Sequence, residues 1–517
     1  MVLFMKTKLL IFVLSLFCSF VVIADDHVAL DIDGNGETDA LTDGLLTLRH
    51  MFGLRGDALV AGVVASDAKY FMADDIEERI NTLGDNLDID GDGQVDPLTD
   101  GLLILRHLFG ILGEDLISGV VSSSAQRSQP NQINNYISTL IGRSVFNIGS
   151  HYPMTQAEFD IAQFDDVEFK YIVSELFSMG SRGWGIKLLT DSLILGTSQE
   201  GIFYLHNRST AKTEMFDITD EISLITDGGQ GGLFNFDFVK IDDSTYTIYF
   251  LAAVASNNNE AALGLHSASL STKNTSELSD VIELFRTDSD PAFKHFGGDV
   301  IVEENSIYVT SGERNRSHPQ SLETNKGKIL RFLIQDNGLI VPHPDNTISS
   351  RSAYKEIFSM GHRNPQGIFY IHELGYLISS EHGPKGGDEI NFIKDGLNYG
   401  WPLVCLGEEY GGGKIGVEQI DEYRDPTVYY IPSIAPRGIK YVSSSNSFPE
   451  LDGSILTASL KSKLILVTYL NQDRPVQKII DLGSYGRVSS FDTNTSGEIF
   501  FITHESNGGV FKISPDN

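Results

Sequence analysis

Cysteine is almost missing from this chain: 517 residues hold two, Cys18 and Cys405. Cys18 lies in an N-terminal apolar run, so a chain that loses that run keeps a single thiol and can form no internal disulfide. Cys405, between Val404 and Leu406, reads as a small buried hydrophobe. Proline is also scarce, at 16, while 41% of the residues are hydrophobic. Folded domains follow, and a disordered or low-complexity chain is excluded. Positive charge is short as well. Lys and Arg number 38 against 70 Asp and Glu, a formal charge of −32, which repels phosphate backbones and argues against nucleic-acid binding. No stretch after residue 24 is apolar for long enough to span a bilayer.

What precedes residue 25 has the form of an export signal. Lys6 and Lys8 stand before the apolar run Leu9–Ile23, which ends at Val22-Ile23-Ala24 ahead of Asp25-Asp26. Cleavage is expected after Ala24, giving a secreted or periplasmic protein. A retained anchor is the alternative, but the run is short for a span, and Phe17 is too bulky to precede a lipidated Cys18. Without disulfides, stability then falls to core packing and bound metal.

Residues 25–143 carry an excess of 14 acids and repeat internally. Leu30-Asp31-Ile32-Asp33-Gly34-Asn35-Gly36 returns 57 residues later as Leu87-Asp88-Ile89-Asp90-Gly91-Asp92-Gly93. Leu41-Thr42-Asp43-Gly44-Leu45-Leu46 returns as Leu98-Thr99-Asp100-Gly101-Leu102-Leu103, and Ile76, Ile80 and Leu83 as Ile133, Ile137 and Leu140. Each copy, about 30–86 and 87–143, reads as an acidic loop, an apolar helix ending at glycine and a second amphipathic helix. Oxygen donors at positions 1, 3 and 5 with glycine at 6 suit a hard cation. Asp31, Asp33 and Asn35 fill them in one copy and Asp88, Asp90 and Asp92 in the other, with Asp39 and Asp96 at position 9 and closing acids Asp43 and Asp100 at 13. A solvated acidic turn without an ion is the plainer alternative. The loops resemble the EF-hand-like loops of dockerin repeats with one residue inserted. That resemblance implies calcium-stabilised folding and a possible protein partner. His50 and His107, beside apolar helix positions, read as packing residues.

Beyond a boundary expected near residues 143–150, short apolar runs alternate with turn clusters. Trp184–Leu189, Ser192–Thr197, Gly201–Leu205, Ser306–Thr310 and Lys328–Phe332 are examples. Such spacing predicts a mainly β domain over 144–517 and leaves barrel, sandwich and propeller open. Three loop-like segments then concentrate cations, amides and acids: Gly361-His362-Arg363-Asn364-Pro365-Gln366-Gly367, Glu381-His382-Gly383-Pro384-Lys385-Gly386-Gly387-Asp388-Glu389 and Asn398-Tyr399-Gly400-Trp401-Pro402. Their order and spacing resemble the soluble quinoprotein glucose/sorbosone dehydrogenases, over roughly residues 165–517.

The resemblance implies a six-bladed β-propeller, with a small α-helical calcium-repeat domain in front. It implies oxidation of an aldose sugar with pyrroloquinoline quinone (PQQ) and Ca2+, the electrons leaving to an external acceptor. On matched positions, His295 in Lys294-His295-Phe296-Gly297-Gly298-Asp299 takes the role of base and Arg363 that of oxyanion stabiliser. Gln230, Arg363, Asn364, Gln366, Lys461 and Arg487 would bind the cofactor, whose three carboxylates need cations. Gly383 and Pro384 would hold the catalytic calcium by their carbonyls, and Asp388 and Glu389 a second one. Read alone, those two acids could instead pair with Lys385 or Lys394, and His362 and His382 read as scaffold hydrogen-bonders. Tyr429-Tyr430 reads as blade packing.

Departures are also legible. Arg487-Val488-Ser489 lacks the second arginine many relatives carry two residues on, a charge-assisted contact worth about 1.5–3 kcal/mol. Glu313 stands for the usual aspartate, and Lys294 should lower the pKa of His295. Two other classes of function stay open: a non-catalytic calcium-stabilised propeller binding glycan or protein, and a calcium-dependent anchor in which the repeats are the main business. The cation set Arg363, Lys461 and Arg487 favours the enzyme, because a pure binding module has no reason to keep it.

Overall fold

The computed structural model describes residues 30–140 and 165–516, apart from 36–37, 66–67, 110, 112–113, 227–229, 257–258, 274, 349–351, 373, 421 and 470–475. The export signal, Gly36, Gly228-Gly229 and the expected 143–150 boundary lie outside the described residues. The chain divides into two compact units, 1–145 and 146–517.

The first unit is helical. Helices span Leu45–Met51 and Ala73–Leu83 in one copy and Asp100–Leu108 and Pro130–Leu140 in the other. Each copy adds a four-residue helix that its sequence did not announce, Asp57–Val60 and Glu114–Ile117. The copies join through matched apolar positions: Leu30, Ile32, Leu46, Ile76 and Ile80 pack in one core with Leu87, Ile89, Leu103, Ile133 and Ile137. Two glycines let the apolar helices approach. A Cβ at Gly101 would fall 2.6 Å from Leu48, and one at Gly44 would fall 3.0 Å from Leu105.

The second unit is a six-bladed β-propeller made of four-stranded antiparallel sheets, two of them with an added strand. The inner strands are Gly183–Thr190, Leu233–Lys240, Gly297–Glu303, Pro365–Ile371, Pro436–Val442 and Val488–Thr493, numbered here as blades one to six. Each meets the next, and the sixth meets the first, so the ring is closed. Closure is made by Tyr171–Ser178, which pairs antiparallel with the last strand, Gly509–Pro515. The sequence already marked Gly508–Ile513 as a strand; its partner from the start of the domain needed the fold.

Burial follows position in the blade. Inner strands are apolar or small and mostly buried, as in Gly183-Trp184-Gly185-Ile186. The outermost strand Lys212–Asp217 has no buried residue, and Lys212, Met215 and Asp217 are exposed. Each inner strand carries a register shift near its start, at Gly183/Ile186, Leu233/Phe236, Gly297/Val300, Pro365/Gly367, Pro436/Ile439 and Val488/Ser490. Bulges of this kind re-aim side chains, and here they repeat at one end of the ring. Among the described residues no helix is long and apolar enough to cross a membrane.

Candidate active site at one end of the ring

The chemistry collects where inner strands begin and second strands end. Ser306–Ser311 delivers Glu313 to that end, Tyr376–Glu381 delivers Gly383, and the inner strands of blades three and four begin just after His295 and Arg363. His295 takes φ 53°, a left-handed conformation uncommon outside glycine. Its neighbours hold it there. The His295 N–H donates to Gln230 Oε1 at 2.8 Å, and Gly312 leaves space that a Cβ would close, 2.0 Å from the His295 carbonyl oxygen.

The imidazole is fixed at both nitrogens. His295 Nδ1 lies 3.0 Å from Glu313 Oε1, and Nε2 lies 3.4 Å from Arg363 Nη2. A carboxylate only accepts and a guanidinium only donates, so Nδ1 carries the proton and Nε2 keeps a lone pair. Burial lowers the His295 pKa below the usual 6.5; the Glu313 hydrogen bond opposes this, and Arg363 and then Lys294 add to it. The arrangement is that of a base kept neutral. The expected effect of Lys294 has the right sign, but burial outweighs it.

Arg363 is buried and braced. Its Nη1 donates to His382 O at 2.9 Å and to Gly383 O at 2.8 Å, while its Nε makes no hydrogen bond and lies 4.0 Å from Glu313 Oε1 as an ion pair. Its guanidinium lies 5.4 Å from the Trp401 ring centroid, and the Trp401 indole N–H donates to Glu313 Oε2. Glu381 takes the Arg363 backbone N–H and faces His362 Nδ1 at 2.9 Å, with Ser359 Oγ 2.9 Å from His362 Nε2. His382 Nε2 donates to Pro436 O at 2.7 Å, and burial pushes its pKa down to about 3. Both histidines are therefore scaffold, spent on hydrogen bonds.

Asn364 Oδ1 accepts from Gly297 N at 3.1 Å, and Gln366 Nε2 donates to Gly297 O at 3.1 Å, which stitches blade four to the His295 loop. Lys461 and Arg487 are exposed. The Lys461 N–H donates to Ile434 O at 3.2 Å, and the Arg487 N–H donates to Glu505 Oε1 at 2.9 Å. The structure thus joins His295, Gln230, Arg363, Asn364, Gln366 and Gly383 by direct bonds. Among the described residues neither the Lys461 nor the Arg487 side chain makes a hydrogen bond or ion pair to that group.

The two neighbouring acids part company. Asp388 accepts from the N–H groups of Gly383, Ile434 and Ala435 at 2.8, 2.7 and 2.7 Å and from Ser433 Oγ at 2.6 Å, so it braces the loop. Glu389 instead lines a cavity of about 10 Å³ with Glu381, Gly361, Tyr399 and Cys405, roughly the space of one water or ion. Burial, then the charge of Glu381, pushes the Glu389 pKa up to about 8. Neither acid pairs with Lys385, which meets Glu408 at 3.5 Å. Cys405 is a buried free thiol, as its neighbours predict. Tyr429 and Tyr430 are buried in the outer strand Val428–Tyr430.

In the helical unit, Asp31, Asp33 and Asp43 bring ligand oxygens within 4.8 Å of one another, and Asp88, Asp90 and Asp100 do the same. Burial pushes Asp43 up to about 6 and also raises Asp100. Asn35, Asp92, Asp39 and Asp96 stand outside these trios. Asp39 Oδ1 caps the following turn by accepting from Leu41 N and Thr42 N, both at 2.9 Å; Asp96 Oδ1 accepts from Leu98 N at 2.7 Å, and Asp92 Oδ1 from Gln94 N at 2.9 Å.

Sequence reasoning gave no role to three residues here: Trp401, Trp184 and Arg437. Arg437 lies 3.8 Å above the Trp184 ring, 2% exposed, and its Nε and Nη1 have no partner. The available signal was an arginine inside the otherwise apolar run Ile434-Ala435-Pro436-Arg437-Gly438-Ile439.

Fold and site together define a propeller with a half-buried histidine set against a buried arginine and glutamate at one mouth. Residues 181–512 match the glucose/sorbosone dehydrogenase family, and the chain belongs to that family. It is 33% identical over 231 residues to the aldose sugar dehydrogenase YliI of Escherichia coli, covering 43% of this chain and 61% of that protein. It is 27% identical over 281 residues to quinoprotein glucose dehydrogenase B of Acinetobacter calcoaceticus, covering 49% and 56%. The matched segments therefore span less than two thirds of either relative. The crystal structure of the soluble E. coli aldose sugar dehydrogenase in its apo form superposes with a TM-score of 0.61 at 27% identity, covering 67% of this chain and all of that one.

Proposed function

We propose that this protein is an exported aldose dehydrogenase that oxidises a sugar hydroxyl with PQQ and calcium and passes the electrons to an external acceptor. The observation that carries the proposal is the His295 imidazole, with Nδ1 held by Glu313 and the accepting Nε2 against Arg363 Nη2. Family membership and the quinoprotein name of one relative support the choice of chemistry.

Bound PQQ would supply the two-electron acceptor and calcium the Lewis acid. The residues present fit both groups. The buried guanidinium of Arg437, with two nitrogens unpartnered, and that of Arg363, whose Nε makes no hydrogen bond, suit a tricarboxylate. Gln230, Asn364 and Gln366 would line it, with Lys461 and Arg487 at the exposed rim. The carbonyls of Gly383 and Pro384 would hold the catalytic ion. Glu389, facing the ion-sized cavity, would hold a second one, and Asp388 would brace the loop between them. Each acid trio of the helical unit would take one further calcium.

His295 Nε2 would accept the hydroxyl proton of the sugar as its carbon is oxidised. Glu313 keeps the proton of the resting imidazole on Nδ1, so the lone pair stays on the reactive side, and it stabilises the imidazolium that forms. Arg363 supplies positive charge where negative charge develops. The N-terminal run supports export, and the acidic repeats support a protein partner.

Reconstitution of the purified chain with calcium and PQQ, followed by dye reduction with a panel of aldoses and oligosaccharides, tests the proposal. Sugar-dependent turnover that is lost when either cofactor is withheld is the expected result. A folded protein that binds no PQQ would end the catalytic proposal in favour of a binding propeller.

A further inference from the structure

Arg437 is the buried cation that no bond within the described structure explains. It sits at the start of the blade-five inner strand, inside the bulge between Pro436 and Ile439 that re-aims its side chain. Asp299 is the acid whose field it feels, yet Asp299 spends its oxygens on Asn235 Nδ2, Val300 N and Ile368 N. Burial pulls the Arg437 pKa down to about 9. Keeping a guanidinium dry with two nitrogens unmatched is expensive, and a fold that needed only to fill this space would use an apolar side chain.

Its position gives the reason. A Cβ at Gly438 would lie 3.1 Å from Ser490 Cα, so the inner strands of blades five and six abut one residue beyond Arg437 and Ser489. The Ser489 hydroxyl is turned into the fold, donating to Gly183 O at 3.0 Å and Ile502 O at 3.2 Å. The Arg437 guanidinium, from blade five, sits over Trp184 of blade one, 3.8 Å from the ring centroid. The charge of Arg437 is felt by His382 together with that of Arg363, and by His504 together with that of Arg487. Arg437 thus fills the gap in a cationic arc running from Arg363 to Arg487.

We propose that Arg437 is a cofactor-binding residue, whose unpaired Nε–H and Nη1–H meet a carboxylate of the bound quinone and replace, from blade five, the arginine that blade six lacks at Ser489. This inference rests on the PQQ reading above.

The chain has two tryptophans, Trp184 under Arg437 and Trp401 beside Arg363, so quenching of intrinsic fluorescence reports the site directly. The experiment is titration of the calcium-loaded full-length protein with PQQ, with thermal melting as the test of folding. Arg437→Met is expected to stay folded and to weaken PQQ binding by at least about tenfold. The double variant Arg437→Ser with Ser489→Arg is expected to recover most of that loss. PQQ with its carboxylates esterified should bind the wild type and Arg437→Met alike. Should the methionine variant not fold, Arg437→Lys keeps a cation but loses the planar fork, and weaker binding at an unchanged melting temperature would support the assignment equally. Wild-type affinity in a folded Arg437→Met or Arg437→Lys would overturn it and leave Arg437 a packing residue, with the PQQ reading intact. A wild-type protein that shows no quenching would instead remove the PQQ reading, and this inference with it.

Discussion

Glu313 joins the base to the aromatic wall: Oε1 lies 3.0 Å from His295 Nδ1, and Oε2 accepts the Trp401 indole N–H. One carboxylate thus sets the tautomer of His295 and the position of the ring beside Arg363. The glutamate side chain spans the two. Glu313→Gln, which keeps the shape and loses the charge, is expected to lower kcat by about 10- to 100-fold with a small change in KM. Glu313→Asp should do comparable damage by shortening the bridge. Steady-state kinetics of the reconstituted enzyme measure both, and wild-type kcat in Glu313→Gln would remove the orienting role.

His295→Ala is expected to cost about 10²–10⁴-fold in kcat while leaving the melting temperature close to wild type, because the imidazole is held chiefly by Glu313. Full turnover in that variant would sink the base assignment.

The pH dependence follows from burial of His295. Its pKa lies below 6.5, so the neutral base survives into more acid solution than a free imidazole would. The acid limb of kcat/KM should have its midpoint below 6.5, and Lys294→Ala should move it upward. The sign for stability is the opposite of a salt-bridged histidine. Below 6.5 the unfolded chain takes up a proton that the folded one refuses, so this group removes stability as pH falls from the unfolded value through the folded one. A midpoint above 6.5 would contradict the burial argument.

Calcium should separate Asp388 from Glu389. Asp388→Ala strips acceptors from three backbone N–H groups and is expected to destabilise by about 1–3 kcal/mol or more, with or without calcium. Glu389→Gln removes the group that can ionise to meet a cation in the cavity it shares with Glu381, and should abolish part of the calcium-dependent rise in melting temperature. Melting curves of both variants with calcium and with chelator decide between the two roles.

The acid trios of the helical unit predict metal binding there. Asp33→Asn combined with Asp90→Asn should lower the calcium stoichiometry of the full chain by two in equilibrium dialysis. Unchanged stoichiometry would return these loops to plain acidic turns.

Local signals carried much of this protein into view. The 57-residue repeat, its helices and its acidic loops are written in consecutive residues, because turn glycines and 3.6-residue periodicity act over a few positions. Several propeller strands, among them Trp184–Leu189, Ser192–Thr197 and Ser306–Thr310, were legible for the same reason, and the Gly361–Gly367 run marked the loop that holds Arg363. Other features needed the folded ring. Ring closure by Tyr171–Ser178 unites segments more than 300 residues apart, and no local pattern encodes a partner at that distance. Asp388 and Glu389 look alike in sequence but face opposite ways, because adjacent residues on a strand alternate sides. Gly438 and Ser490 lie 52 positions apart and meet only because blades five and six abut. The sequence by itself determined which residues could do chemistry; the packing of six bladed strands around one axis decided which of them meet.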